Sequence, residues 1–148
     1  DLNMRITQIY VHDIKAIADQ IEAGDYNSEI LLSNINGKTE IQKVEDAYDK
    51  FIIRNVSASI LAIIIDCKKG KIKAISFNGF LGIKPKELFT MFGDYREGYS
   101  AKDDLYFYFF NENKKVGNFI VSLFEPSHKQ INIHESNQAL SNLTLSWE

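Results

Sequence analysis

The apolar positions of this chain fall mostly into short runs of period two, interrupted by two stretches of helical period. Ser59-Ile60-Leu61-Ala62-Ile63-Ile64-Ile65 is a continuous apolar run of strand length, rich in β-branched residues. Lys71-Ile72-Lys73-Ala74-Ile75-Ser76-Phe77 alternates, which predicts a half-buried strand with Lys71 and Lys73 on one face and Ile72, Ala74 and Ser76 on the other. Cys67-Lys68-Lys69-Gly70 reads as the turn between the two. Asn78-Gly79 then leads into a short helix within residues 81–92. There Pro85 suits the first turn, Leu88, Phe89 and Phe92 form the apolar side, and Gly93 ends it. Leu105-Tyr106-Phe107-Tyr108-Phe109-Phe110 is an aromatic strand, with Leu105, Phe107 and Phe109 on one face and Tyr106, Tyr108 and Phe110 on the other. A further strand runs through residues 116–124 and is broken at Pro126.

The flanking regions extend this sheet. Ile14, Ile17, Ala18 and Ile21 lie at i, i+3, i+4 and i+7, predicting a helix over residues 12–23. His12 or Asp13 stands at its cap, Asp19, Gln20 and Glu22 face water, and Gly24 follows the last turn. Residues 29–35 and 38–44 flank Asn36-Gly37, the residue pair that a two-residue type I′ hairpin favours. Residues 45–50 read as a turn or one helical turn, and Phe51-Ile52-Ile53 as extended or helical. Residues 94–104 read as a polar loop of eleven residues, a length usual for functional or mobile segments. Gln130-Ile131-Asn132-Ile133-His134 and Leu143-Thr144-Leu145-Ser146-Trp147 both alternate as strands do. With no linker dividing the 148 residues, the expectation is one α+β domain. It has a mainly antiparallel sheet of about six to eight strands, a usual size, and two or three helices on one face.

Composition narrows the class. The chain is 45% hydrophobic and 25% charged, ordinary for a globular domain, and its longest apolar run is far too short to span a bilayer. The start is polar without an apolar h-region, so Met4 reads as a native initiator with Asp1-Leu2-Asn3 as a remnant ahead of it. A mature secreted chain is the alternative. The single cysteine, Cys67, precludes an internal disulfide and fits a reducing compartment, so the expected location is cytoplasmic. Residues 1–50 carry ten acids and five bases, a net of −5; residues 51–148 carry ten acids and twelve bases, a net of +2. No basic stripe is concentrated enough for nucleic acid, and the N-terminal third can present an acidic face.

The run Gly79-Phe80-Leu81-Gly82-Ile83-Lys84-Pro85-Lys86-Glu87-Leu88-Phe89-Thr90-Met91-Phe92-Gly93, followed by the aromatic strand and by Phe119-Ile120-Val121-Ser122-Leu123, resembles a known module. It is similar to the helix-then-hairpin unit of BamE and β-lactamase-inhibitor-protein-like domains, a build shared by small bacterial immunity proteins. The resemblance covers about a third of the chain and implies an interaction module without catalytic residues. BamE lipoproteins carry a secretion signal and a lipid-bearing cysteine, and this chain shows neither.

The chemistry-bearing residues point the same way. His12, His128 and His134 do not converge with the one cysteine on a zinc pattern, so no metal or cofactor is expected. Cys67 lies beside Lys68 and Lys69, which would lower a thiol pKa, but no hydrolase signature surrounds it. No Gly-x-Ser-x-Gly elbow, phosphate loop or His-Glu-x-x-His helix occurs, and no catalytic residue is assigned. Tyr95, Tyr99, Tyr106 and Tyr108 cluster, and tyrosine is enriched at binding hot spots. A strand apolar on both faces is either sandwiched or offers one face to a partner. The sequence therefore favours a small cytoplasmic immunity protein that neutralises a cognate bacterial toxin, such as a basic nuclease domain, without binding nucleic acid or membrane. Asp94, Tyr95, Arg96, Glu97 and Tyr99 are the first candidate contacts, and Asp19, Glu22 and Asp25 a second, acidic set. A ligand-binding or enzymatic domain with an apolar pocket near His128 or His134, and an envelope scaffold, are the alternatives.

Overall fold

The computed structural model describes residues 6–24, 27–35, 37–45, 48–126, 129–137 and 140–147. In chain order the elements are α1 (Val11–Glu22), α2 (Ser28–Ser33), β1 (Lys38–Glu45), β2 (Tyr48–Arg54), β3 (Ile60–Lys68), β4 (Lys71–Gly79), α3 (Pro85–Phe92), β5 (Tyr95–Ser100), β6 (Leu105–Phe110), β7 (Ile120–Pro126) and β8 (Asn142–Ser146). The strands form one eight-stranded antiparallel sheet in the order β1-β2-β3-β4-β8-β7-β6-β5. The expected α+β architecture is thus the observed one, at the upper end of the expected strand number.

Two adjacent cross-strand rows explain how the sheet is built. The row Ile41–Phe51–Ile65–Ile75–Leu145–Val121–Phe110–Tyr95 crosses all eight strands and is apolar or aromatic throughout. One residue along each strand, the side chains point to the opposite face. That second row reads Glu40–Ile52–Ile64–Ser76–Thr144–Ser122–Phe109–Arg96. The first face carries the core. Ile14, Ile17 and Ala18 of α1, Leu31 of α2, and Leu88 and Phe92 of α3 are buried in one cluster with Ile53, Ile63, Ile65, Ile75, Phe77, Val121, Leu123, Leu143 and Leu145. All three helices therefore bury their apolar stripes on that side.

The local devices follow from sequence. In α1 the first turn is closed by Asp13, whose Oδ2 accepts the Tyr10 N–H at 2.9 Å, so Tyr10 and not His12 or Asp13 is the cap residue. Pro85 opens α3, and Gly93, at φ 77°, follows its last residue. Lys69 and Gly70, with φ of 52° and 77°, make the tight turn between β3 and β4.

Several expectations are corrected. Residues 28–33 are helix, capped by the Asn27 side chain, which accepts the Ile30 N–H at 2.9 Å. Among the described residues no strand precedes β1 to form the expected hairpin, and β1 pairs forward with β2 instead. Residues 45 and 48–50, read as a turn, belong to those two strands, and residues 46–47 lie outside the described residues. In β4 the pairing passes from Asp66–Ala74 to Cys67–Ile72, leaving Lys73 as a bulge. The buried set is consequently Ile72, Ile75 and Phe77, not Ile72, Ala74 and Ser76. Cys67 lies inside β3 and is buried, not in the turn. Residues 95–100, read as part of a loop, form the edge strand β5. Residues 130–134 form no strand; Ile131 and Ile133 are buried, but both neighbours of β7 are already taken by β6 and β8.

Candidate functional site

The second face of the sheet is built differently at its two ends. Toward β1 it carries ion pairs: Arg54 with Glu40 at 3.8 Å and Lys50 with Asp66 at 3.9 Å. At its centre the residues are small and polar, and the hydroxyls of Ser76 and Thr144 are 2.8 Å apart. Toward β5 it becomes aromatic. The ring centroids of Phe107 and Phe109 are 5.1 Å apart, and those of Phe109 and Phe124 6.0 Å. Phe107 and Phe109 are half-buried and Phe124 is 38% exposed.

Arg96 completes this shelf. Its guanidinium carbon lies 4.7 Å from the Phe109 centroid and 5.5 Å from that of Phe107. Two charge-assisted hydrogen bonds fix it there: Nε donates to Glu112 Oε1 at 2.9 Å and Nη2 to Oε2 at 3.1 Å. The arginine plane is thus held over the rings by contacts within the chain itself. Gly98, opposite Phe107 in the ladder, leaves the space that the ring occupies.

The sheet opens beside Phe124. The β7–β8 pairing stops at Ser122–Thr144. Beyond it the Asn142 carboxamide bridges the parting strands, with Oδ1 accepting the Phe124 N–H at 2.8 Å and Nδ2 donating to the Phe124 carbonyl. A cleft of about 400 Å³ lies there, with Leu105 and Phe124 as apolar walls and Asp103, Asp104 and Glu125 as acids. Glu125 is only 5% exposed, and burial pushes its carboxyl above the ordinary range, opposed by Ser141 and Lys129.

The candidate contacts from sequence divide between the faces. Arg96 lies on the aromatic shelf, and the exposed Asp94 lines a recess with it. Tyr95 turns to the core side, half-buried against Phe110 at 5.4 Å and Phe89 at 6.3 Å. Glu97, exposed on that same side, accepts from Gln130 Nε2 at 2.8 Å. Tyr99 is 49% exposed and donates its hydroxyl to Asp104 at 2.6 Å. Asp19 pairs with Lys15 at 3.2 Å. Glu22 accepts the Asn118 N–H at 2.5 Å and the Trp147 indole N–H at 3.2 Å. Asp25 and His128 lie outside the described residues. His134 packs edge-on to Phe89, with centroids 4.5 Å apart. Phe124, Glu125, Ser141 and Asn142 were not singled out from sequence. The alternation in β6 announces the rings at 107 and 109, but nothing local shows that β8 brings Asn142 to Phe124.

The Cys67 thiol is pushed up by burial, with a hydrogen bond from Ser28 opposing the shift. That is the reverse of the lowering expected from Lys68 and Lys69. Among the described residues, no group of three or more His, Cys, Asp or Glu converges to hold a metal ion. No helix among them is long and apolar enough to cross a membrane.

No protein-family model matches the chain, and no curated protein matches it. Among solved structures it is similar to the DUF4309 family protein YjgB from Bacillus subtilis, at 10% sequence identity and a TM-score of 0.43, covering 91% of this chain and 95% of that one.

Proposed function

We propose that this chain is a non-catalytic protein-binding module of the immunity type, acting in the cytoplasm to neutralise a cognate bacterial toxin by covering it. The observation that carries the reading is the shelf of Phe107, Phe109 and Phe124 with Arg96 held over two of its rings, on the sheet face opposite the helices. Aromatic and arginine side chains dominate binding energy at protein interfaces, and a group fixed before binding loses little entropy on binding. The excess of acids in residues 1–50, a net of −5, supports the finer reading that the toxin is basic, such as a nuclease domain.

The test is capture of a stoichiometric partner by the tagged chain from its own cells. Phe109→Ala and Phe124→Ala should each release that partner while leaving the far-ultraviolet circular dichroism unchanged. Retention of the partner by both folded variants would move the interface elsewhere. Capture of no partner would sink the reading.

A further inference from the structure

The cleft between the parting ends of β7 and β8 has the chemistry of a receptor for a cationic side chain. Glu125 is its most informative residue. The carboxyl is 5% exposed, yet its one hydrogen bond among the described residues comes from Ser141 Oγ at 3.4 Å, the outer limit of such a contact. Its second oxygen, Oε2, has no partner among the described residues. Lys129 acts on the carboxyl without reaching ion-pair distance. Oε2 is not shut away from solvent, and Glu125 lines the cleft, so a cation entering the cleft can reach an oxygen that no other described group serves.

The surroundings select the kind of cation. Asp103 and Asp104 add two exposed carboxylates to the rim, the first held by the Ser100 hydroxyl at 3.2 Å and the second by Tyr99. The walls at Phe124 and Leu105 are apolar and suit a methylene stem. The acids of the described residues do not converge closely enough for a metal ion. Acceptors spread along an aromatic wall fit a planar group with several donors better than a point charge, which favours guanidinium over ammonium.

We propose that this cleft receives the guanidinium of an arginine presented by the protein partner, with Glu125 and Asp103 accepting its N–H groups and Phe124 flanking its stem. The arginine's source rests on the protein-binding reading; the cleft's preference for guanidinium does not. The cleft adjoins the aromatic shelf through Phe124, which belongs to both, so one partner segment can engage the two together.

The experiment is a nuclear magnetic resonance titration of the isotope-labelled whole chain with N-acetyl-arginine amide, against the neutral isostere N-acetyl-citrulline amide. The arginine compound should give saturable shifts at the amides of Phe124, Glu125, Ser141 and Asn142, and the citrulline compound none. Glu125→Gln should weaken the binding by about tenfold. Asp103→Asn, at an exposed position, should weaken it by about threefold and decides the matter if the first variant does not fold. No saturable shift, equal shifts with citrulline, or binding indifferent to the folded variants would overturn the proposal. Partner capture through Phe109 with no arginine binding overturns the cleft alone. Arginine binding with no captured partner overturns the protein-binding reading and leaves the cleft.

Discussion

The tip of the Phe107 ring occupies the space in which residue 98 would carry a side chain. The two are direct partners in the β5–β6 ladder, and a Cβ placed on Gly98 collides with Cζ and both Cε atoms of the ring. Gly98→Ala should therefore force Phe107 off its seat and cost about 1–3 kcal/mol, the usual penalty of overpacking. Urea denaturation measures it. The double variant Gly98→Ala with Phe107→Ala should cost less than the two single changes added, because the second removes the atoms the first strikes. Strict additivity would show that the ring finds room elsewhere.

Glu22 ties the end of α1 to two distant segments through Asn118 and Trp147. Glu22→Ala removes the acceptor from both donors and should cost about 1–3 kcal/mol. It should also shift Trp147 fluorescence to longer wavelength as the indole meets water. Glu22→Gln keeps an oxygen in place and should keep most of the stability. Equal losses in the two variants would mean that the charge, not the acceptor, matters.

Cys67 is buried in β3 and its thiol is pushed up by burial, so it should resist alkylation in the native protein at mildly alkaline pH. Denaturant should expose it to rapid modification. Fast native-state labelling would place the residue at the surface and contradict the β3 register.

Burial raises the folded-state pKa of Glu125 above its ordinary value of 4.5. Between those two values the folded chain binds more protons than the unfolded one, so this group's contribution is fully present below the ordinary value and is lost as pH rises through the folded one. Glu125→Gln removes the titration. The stability of the variant relative to the natural chain should increase from pH 4 to pH 7, read from paired thermal melts. A constant difference across that window would mean that the carboxyl is better solvated than its burial implies.

The readability of the sequence varied with what each pattern encodes. The Ile-rich run of β3, the Pro85-to-Gly93 helix and the stripe of α1 were legible because burial and hydrogen bonding there follow local periodicity. Helix α2 was hidden by three contiguous apolar residues, Ile30, Leu31 and Leu32, and by a turn-forming pair just after; its signal was Asn27 ahead of Ser28-Glu29. Strand β5 was hidden because an edge strand tolerates charge on both sides, although Tyr95, Glu97 and Tyr99 do alternate. Residues 130–134 show the converse error. Alternation told correctly which isoleucines are buried, but a strand also needs a free neighbour, and that depends on the whole sheet. Of the candidate site, Arg96 stands out in the sequence and the alternation of β6 puts Phe107 and Phe109 on one face, because all three sit in one hairpin, whereas the cleft depends on a strand that arrives from far along the chain.

That strand has a consequence for how the protein is made. β8 is the last strand in sequence but stands near the middle of the sheet, between β4 and β7. The strands β1 to β4 form one meander and β5 to β7 another, and among the described residues no strand pairing joins them except through β8. On the ribosome both meanders are complete by residue 126, each with a raw inner edge whose apolar side chains have nothing to pair with. Closing the gap brings together hydroxyls 68 residues apart in sequence, those of Ser76 and Thr144, and such distant closures are slow. The interval before residues 142–146 emerge is when the nascent chain is most exposed to misassembly with its neighbours, and the final strand ends that interval for both halves at once.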